Sequence, residues 1–299
     1  MQDNDYPWLY CASDVASRNA QRWYFRLLAS QLTLFFSVSL LGLVTQLVAL
    51  ERKPKVLVLI SILLGLAIIS MLVGRERKFD KSWFDGRAVA ESVKTATWRY
   101  MMKVRPFHEE ADVELHFTSE LDEIRRARSA ISVSLATRGF DGTVISEFML
   151  KIRDSGFLSK KSEYKNSRLR DQRNWYERKA KWNQTRATLW YWLILALQIL
   201  ALALAIIAAS FGAFRINVVG LMMTIAASLT AWSQAKRYDD LFNSYGMAAQ
   251  ELQSIESLIE RATDEKLFCE LVDQFESAIS REHTMWCGKR SATSISLRS

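Results

Sequence analysis

Hydrophobic and charged positions are sharply segregated along this chain. Four windows contain no Asp, Glu, Lys or Arg, namely residues 27–50, 56–74, 187–214 and 216–235. About 20 apolar residues in a helix cross the roughly 30 Å hydrocarbon core of a bilayer, and each window reaches or nearly reaches that length. The pattern therefore predicts four transmembrane helices. Buried helices of a soluble bundle are the alternative, which windows of 24 and 28 residues without a charge do not favour.

The four predicted spans are grouped in two hairpins. The short link Glu51–Lys55, which contains Pro54, joins the first pair, and Arg215 alone separates the second pair. An ungapped offset of 159 residues places Trp23 on Trp182, and the same offset aligns both spans and both flanks of the two hairpins. A constant offset over this length predicts a tandem duplication, and two spans per copy make the repeats parallel.

Helices are also predicted outside the spans. The stretch 160–186 has no Pro or Gly and leads directly into the third span, so we expect one continuous helix. We expect Pro106 to stop a preceding helix, Thr118 to begin an amphipathic helix reaching about Leu135, and Gly139–Gly142 to form a loop. After the fourth span, apolar residues recur at the alternating spacings of 4 and 3 that are typical of a coiled-coil seam, which predicts an assembly surface formed by Leu241, Tyr245, Ala248, Leu252, Ile255 and Ile259.

These elements define the expected architecture. We predict an all-α integral membrane protein with four transmembrane helices, arranged as two tandem hairpins with long cytoplasmic coiled-coil-like helices. The first hairpin unit is expected at 1–105, a cytoplasmic helical connector at 106–159, the second hairpin unit at 160–283 and a flexible tail at 284–299.

Charge gives the expected orientation. The chain has 40 Lys and Arg against 32 Asp and Glu, a net charge of +8. Only four of these basic residues lie in the hairpin turns, whereas fifteen lie close to the opposite ends of the spans. Basic residues concentrate on the cytoplasmic side. We therefore expect a multi-pass protein of the bacterial inner membrane with both termini in the cytoplasm, where Cys11, Cys269 and Cys287 would be plain thiols.

The same basic residues favour a lipid bilayer as partner over a nucleic acid. The basic stretch 160–186 adjoins the third span and is interrupted by Glu163, Asp171 and Glu177. Lys and Arg at this position attract anionic lipid headgroups, whereas the acidic residues weaken a groove that would track phosphates. A nucleotide second messenger is a further alternative for this stretch.

Candidate chemistry is sparse. His108, Asp112 and His116, at spacings of four, would share one face of a helix and are weak candidates for a metal site. A solvated helix face is the preferred explanation, because the spacing spans two turns and no fourth ligand is evident. We find no P-loop, nucleophile elbow or HExxH pair, so no enzyme and no cofactor is expected.

Polar residues inside the spans are the candidates for a pore lining. No charged residue or His lies in any span, which argues against proton relays and charged filters. Uncharged polar side chains also serve close helix packing, so this interpretation stays open. The candidates for the lining are Gln31, Thr45, Gln46, Gln198, Thr224 and Ser228.

Two motifs make the family recognisable. The run from Leu169 to Asn183, which includes Gln172, Trp175, Tyr176 and Lys179, resembles the helix that leads into the membrane in the SLATT family of two-transmembrane effector domains. The segment from Trp98 through Tyr100 to Phe107 resembles the post-hairpin signature of a second SLATT type, which commonly precedes the first.

The resemblance implies a function. SLATT domains accompany nucleotide-producing and nucleotide-sensing modules in bacterial conflict systems. The resemblance to this family implies an antiviral membrane effector. Such an effector oligomerises and forms a pore or perturbs the membrane when a nucleotide-producing or nucleotide-sensing partner protein activates it. A non-conducting membrane scaffold for a cytoplasmic partner and a ligand-gated cation channel are the alternatives.

Overall fold

A computed structural model describes residues 1–108, 111–127, 142–211 and 218–279. Some predicted features lie outside these residues: most of the Gly139–Gly142 loop, the turn at Arg215, Cys287 and the tail 284–299.

The described residues confirm the all-α prediction, since they form helices and no strand. Four of the helical stretches are long and apolar enough to cross a membrane. In chain order the helices are α1 (Trp8–Leu47), α2 (Lys53–Arg77), α3 (Phe79–Met101), α4 (Val113–Arg126), α5 (Glu147–Arg153), α6 (Phe157–Glu163), a π-helical segment (Tyr164–Arg170), α7 (Asp171–Phe211), α8 (Val218–Lys236), α9 (Tyr238–Arg261) and α10 (265–279).

The duplication predicted from the 159-residue offset is visible in the backbone. Lys78 ends α2 with a φ of 46°, and its equivalent Arg237 separates α8 from α9 with a φ of 54°. Neither residue is glycine, and the left-handed region is unusual for other residues. Both copies thus interrupt the helix at the same place after their second span.

Side-chain environments repeat as well. Ala67 and its equivalent Ala226 are both buried, and Trp23 and Trp182 are 50% and 49% exposed. The two copies therefore share packing positions along with their sequence pattern.

The helix predicted to run through 160–186 into the third span is confirmed. Helix α6, the π-helical segment and α7 follow one another without a break from Phe157 to Phe211. The π-helical segment itself was not predicted. It places Tyr164, Arg168 and Leu169 in the protein interior, and π-helical turns often mark functional positions.

The predicted start of the amphipathic helix at Thr118 is wrong. Helix α4 begins at Val113, and the Thr118 hydroxyl donates a hydrogen bond to the Glu114 carbonyl inside that helix. A threonine within a helix can form such an i−4 bond, so its hydroxyl alone does not mark a cap. The preceding helix, α3, ends at Met101 and therefore stops ahead of Pro106, as expected.

Two compact units draw on both halves of the sequence. The first, called here the polar-core unit, contains residues 1–22, 79–175 and 248 onward. The second, called the span unit, contains residues 23–78 and 176–247 and includes all four charge-free windows.

Candidate functional site

The span unit buries very few of its side chains. The apolar windows place almost none of their residues in the protein interior. The buried exceptions within the described part of the windows are three alanines, Ala67, Ala201 and Ala226. Small residues allow helices to approach closely in a membrane, whereas the larger apolar side chains of these windows remain on the surface.

Hydroxyl groups in the spans bond mainly to backbone carbonyls of their own helix. Thr45 donates to Gly42 at 2.6 Å, and Thr224 donates to Gly220 at 2.9 Å. Thr224 also accepts a bond of 3.2 Å from Ser39, which joins the first and fourth spans. The Thr45 hydroxyl is thus satisfied within its own helix, and the bond from Ser39 supports helix packing for Thr224.

The other predicted lining residues differ in exposure. Gln31 and Ser228 are half-buried, whereas Gln46 and Gln198 are exposed on the span surface. The six candidates therefore differ in their surroundings, and their role in a lining stays a prediction.

Aromatic and basic side chains meet at the ends of the spans. The Lys236 ammonium lies 3.3 Å from the ring centroid of Phe25 and 4.9 Å from that of Trp232. Lys179 and Arg186 both lie over Trp182, at 5.9 and 5.5 Å. Amphipathic rings with basic partners are typical of the headgroup level of a bilayer.

A buried ion pair is the centre of the polar-core unit. Arg168 and Glu276 are 1% and 0% exposed, and the guanidinium donates to both carboxylate oxygens at 2.8 and 2.7 Å. Tyr164 and Thr95 donate to the same carboxylate, each at 3.0 Å. The network connects α3, the π-helical segment and α10.

The network shifts the pKa values of two of its members, Arg168 and Tyr164. Burial alone would lower the pKa of Arg168, but the Glu276 carboxylate outweighs burial and raises it. Burial, followed by the charge of Glu276, raises the pKa of Tyr164 well above its usual value. Arg168 therefore stays charged and Tyr164 stays protonated.

A half-buried cation, Lys94, lies near this network. The Lys94 ammonium is 3.4 Å from the Gln172 amide oxygen and 5.9 Å from the ring centroid of Tyr6. Burial lowers the pKa of Lys94, and the nearby Glu91 carboxylate opposes that shift.

The family-motif residues are divided between the two units. In the polar-core unit, Trp98 donates to the Tyr6 hydroxyl at 3.1 Å, Tyr100 packs on Phe107 and Phe117, and Trp175 lies under Arg87. In the span unit, the rings of Tyr176 and Tyr245 are 5.6 Å apart, and Lys179 lies over Trp182 as described above. The motif residues therefore form packing contacts. Tyr100 also contacts a buried cation, since the Arg153 guanidinium lies 4.6 Å from its ring centroid, and Gln172 accepts a hydrogen bond from Lys94.

The predicted assembly seam lies along α9. Ala248, Leu252 and Ile259 are buried within the chain, whereas Leu241, Tyr245 and Ile255 are half-buried. On the same helix, Glu256 accepts hydrogen bonds from Arg170 and Arg173. The second half of the seam is therefore occupied by contacts inside the polar-core unit.

The weak metal candidates do not share a helix face. Asp112 precedes α4 with a left-handed backbone, His116 lies within α4 and packs on Phe107, and His108 lies in the turn before Glu109. The expectation of one helix through all three residues is wrong because α4 begins after Asp112. Among the described residues there is no group of three or more His, Cys, Asp or Glu side chains placed to hold a metal ion.

Sequence reasoning missed the buried ion pair. Arg168 and Glu276 are separated by 108 positions, so no local spacing relates them. The available signal was weak: Glu276 shares a face of α10 with two apolar residues, Val272 four positions before it and Ile279 three positions after it.

The architecture is that of a tandem membrane-hairpin protein with a helical body outside the spans. Residues 7–161, more than half of the chain, match the family model "SMODS and SLOG-associating 2TM effector domain 3". Residues 164–286 match "SMODS and SLOG-associating 2TM effector domain 1". The chain therefore belongs to the SLATT family, and the predicted order of the two types is confirmed. No curated protein and no solved structure matches it.

Proposed function

We propose that the chain is the membrane effector of a bacterial nucleotide-signalling system for antiviral defence, and that its copies assemble to permeabilise the cell membrane on activation. The observation that carries the proposal is the tandem match to two effector-domain models over four spans that bury almost none of their residues.

The span unit supports assembly of several copies. Four helices of one chain are too few to enclose a wide pore, and their large apolar side chains face outward. The windows contain no charged group for a proton relay or a coupled transporter. A pore built from several copies needs only uncharged polar positions of the kind the spans offer.

Charge supports the orientation. With four basic residues in the turns and fifteen at the opposite flanks, the termini and residues 75–186 lie in the cytoplasm. The polar-core unit is then available to a nucleotide-sensing or nucleotide-producing partner protein in that compartment.

Vesicle leakage tests this proposal. The purified chain is reconstituted in phosphatidylethanolamine and phosphatidylglycerol vesicles loaded with carboxyfluorescein. Dye release is measured before and after addition of its SMODS or SLOG partner with that partner's nucleotide. Release only with the activating module is expected, and membrane depolarisation in cells that express both proteins is the parallel measurement.

Three outcomes contradict the proposal that activation permeabilises the membrane. Absence of leak and depolarisation in every activated state would overturn it. A stable complex with the partner but without leak would favour the scaffold, and selective single-channel steps without toxicity would favour an ordinary ligand-gated cation channel.

A further inference from the structure

Gln198 is an exposed amide near the middle of the third span. Among the described residues it makes no hydrogen bond. An amide without a hydrogen-bond partner in hydrocarbon is unfavourable, because lipid tails offer neither a donor nor an acceptor. The described part of the chain provides no polar group for this amide.

The duplication explains why that partner is missing. Gln198 corresponds to Ser39 in the first copy, and Ser39 donates to Thr224 of the fourth span at 3.2 Å. The position equivalent to Thr224 is Gly65 of the second span. Glycine has no side chain, and a Cβ placed there would meet no atom within 4 Å. Of the two equivalent polar residues, Ser39 thus has a hydrogen-bond partner in the fourth span, whereas Gln198 has only a glycine at the equivalent position of the second span.

Gln198 lies on a stripe that differs from the inward face of α7. The inward face is centred on the buried Ala201. The stripe lies beside that face: Tyr191, Gln198, Leu202 and Ala209 are exposed, whereas Leu195 and Ala205 are half-buried. Its residues repeat at spacings of 4 and 3 like a coiled-coil seam. We name it the Gln198 stripe, and it consists of Tyr191, Leu195, Gln198, Leu202, Ala205 and Ala209.

The stripe has the composition of a helix contact. Tyr191 and Leu202 are 60% and 61% exposed, on either side of Gln198. Ala205 and Ala209 follow and allow close approach of a second helix. One polar residue in an otherwise apolar seam fixes the register of association.

We propose that the Gln198 stripe docks against the same stripe of a second copy, with the two Gln198 amides hydrogen-bonded to each other. Each amide has both a donor and an acceptor, so a two-fold axis along the membrane normal lets each satisfy its counterpart. Lipid tails offer neither group. This contact rests on the proposed function, in which copies of the chain assemble, and it joins two copies before activation.

Disulfide cross-linking in isolated membranes tests the contact. In a background with Cys11, Cys269 and Cys287 changed to Ser, Gln198→Cys and Leu202→Cys are oxidised with copper phenanthroline. Both are expected to give covalent dimers. Ile199→Cys is the matched control, because Ile199 is 58% exposed at nearly the same depth but lies about 100° around the helix.

A second measurement tests the amide itself. Gln198→Leu is expected to weaken association of the purified protein in detergent by about three- to tenfold, whereas Gln198→Asn should retain most of it. Wild-type association of Gln198→Leu, or equal cross-linking at positions 198 and 199, would overturn the proposal.

These results separate the contact from the pore. Cross-linking needs neither the trigger nor dye release. Dimers at Gln198→Cys without any leak would support the contact and contradict pore formation. Leak without preferential cross-linking would overturn the contact alone.

Discussion

At the scale of single residues, Arg168 and Glu276 place two charges inside a helical core. Such a pair is stable only while both members are present, because removal of one leaves an uncompensated buried charge. We predict that Glu276→Ala lowers the free energy of unfolding by about 3–5 kcal/mol. The apparent melting temperature in detergent, followed by tryptophan fluorescence, measures the effect.

The exposed pair of Arg126 and Asp122 is the control for this prediction. Their side chains are 75% and 49% exposed, so Arg126→Ala should change stability by less than about 1 kcal/mol. An Arg168→Met and Glu276→Leu double variant should recover much of the loss, because it leaves no charge unpaired. Equal melting temperatures for Glu276→Ala and Arg126→Ala would contradict the account.

Lys94 gives the polar-core unit a predictable pH dependence. Burial lowers the pKa of Lys94 in the folded protein. In the pH range between that lowered pKa and the ordinary lysine value of 10.5, the unfolded chain therefore binds more protons than the folded protein. The contribution of Lys94 to stability should therefore rise with pH as the folded protein releases this proton. We predict that Lys94→Met makes the slope of melting temperature against pH, in the range just below 10.5, less positive than in the wild-type protein.

Lys151 is the matched control for Lys94, since it is a lysine of the same unit with an exposed side chain. Lys151→Met should retain the wild-type slope. A Lys94→Met profile parallel to the wild-type profile would show that the ammonium is not desolvated.

At the scale of helices, α1 and α3 approach each other closely at Gly86. A Cβ at this position would lie 2.8 Å from Cβ of Ser17 and 3.0 Å from its Cα. Backbone atoms cannot move aside cheaply, so we predict that Gly86→Ala destabilises the protein by about 1–3 kcal/mol. Thermal unfolding in detergent measures the change.

Gly246 provides the opposite case within α9. A Cβ there would meet nothing within 4 Å, so Gly246→Ala should stabilise the helix by about 0.5–1 kcal/mol. Stabilisation by both substitutions would contradict the close approach at Gly86.

The helices also show what sequence could predict. The spans were predictable because the absence of charge over about 20 residues is a local signal, and a helix that crosses the bilayer is its usual cause. The interruptions at Lys78 and Arg237 carry no Gly or Pro, and the π-helical segment at Tyr164–Arg170 has no sequence mark. The alignment of the two copies predicts that an interruption in one copy recurs in the other, but it does not predict the interruption itself.

At the scale of the whole molecule, the contact-defined units mix both copies. The polar-core unit combines residues 1–22, 79–175 and 248 onward. Its central ion pair joins residues 108 positions apart, so burial rather than local pattern determines it. Pairing over this distance depends on the complete fold, which is why the spans could be predicted and the polar network could not.

Orientation in the membrane follows from charge counted over the whole chain. Four basic residues against fifteen predict that the hairpin turns face outward and residues 75–186 face the cytoplasm. Lys55 of the first turn and Lys151 of α5 are both exposed lysines, so cysteine at each reports one side of the membrane.

We predict that a membrane-impermeant maleimide labels Lys55→Cys in cells whose inner membrane is intact. Lys151→Cys should be labelled only after that membrane is permeabilised. Both variants carry serine at the three native cysteines, so each has one reactive thiol. Because both substitutions replace an exposed lysine, intrinsic reactivity should be similar and the sidedness alone should decide the result. Labelling of Lys151→Cys in intact cells would reverse the orientation and remove the polar-core unit from the reach of a cytoplasmic partner.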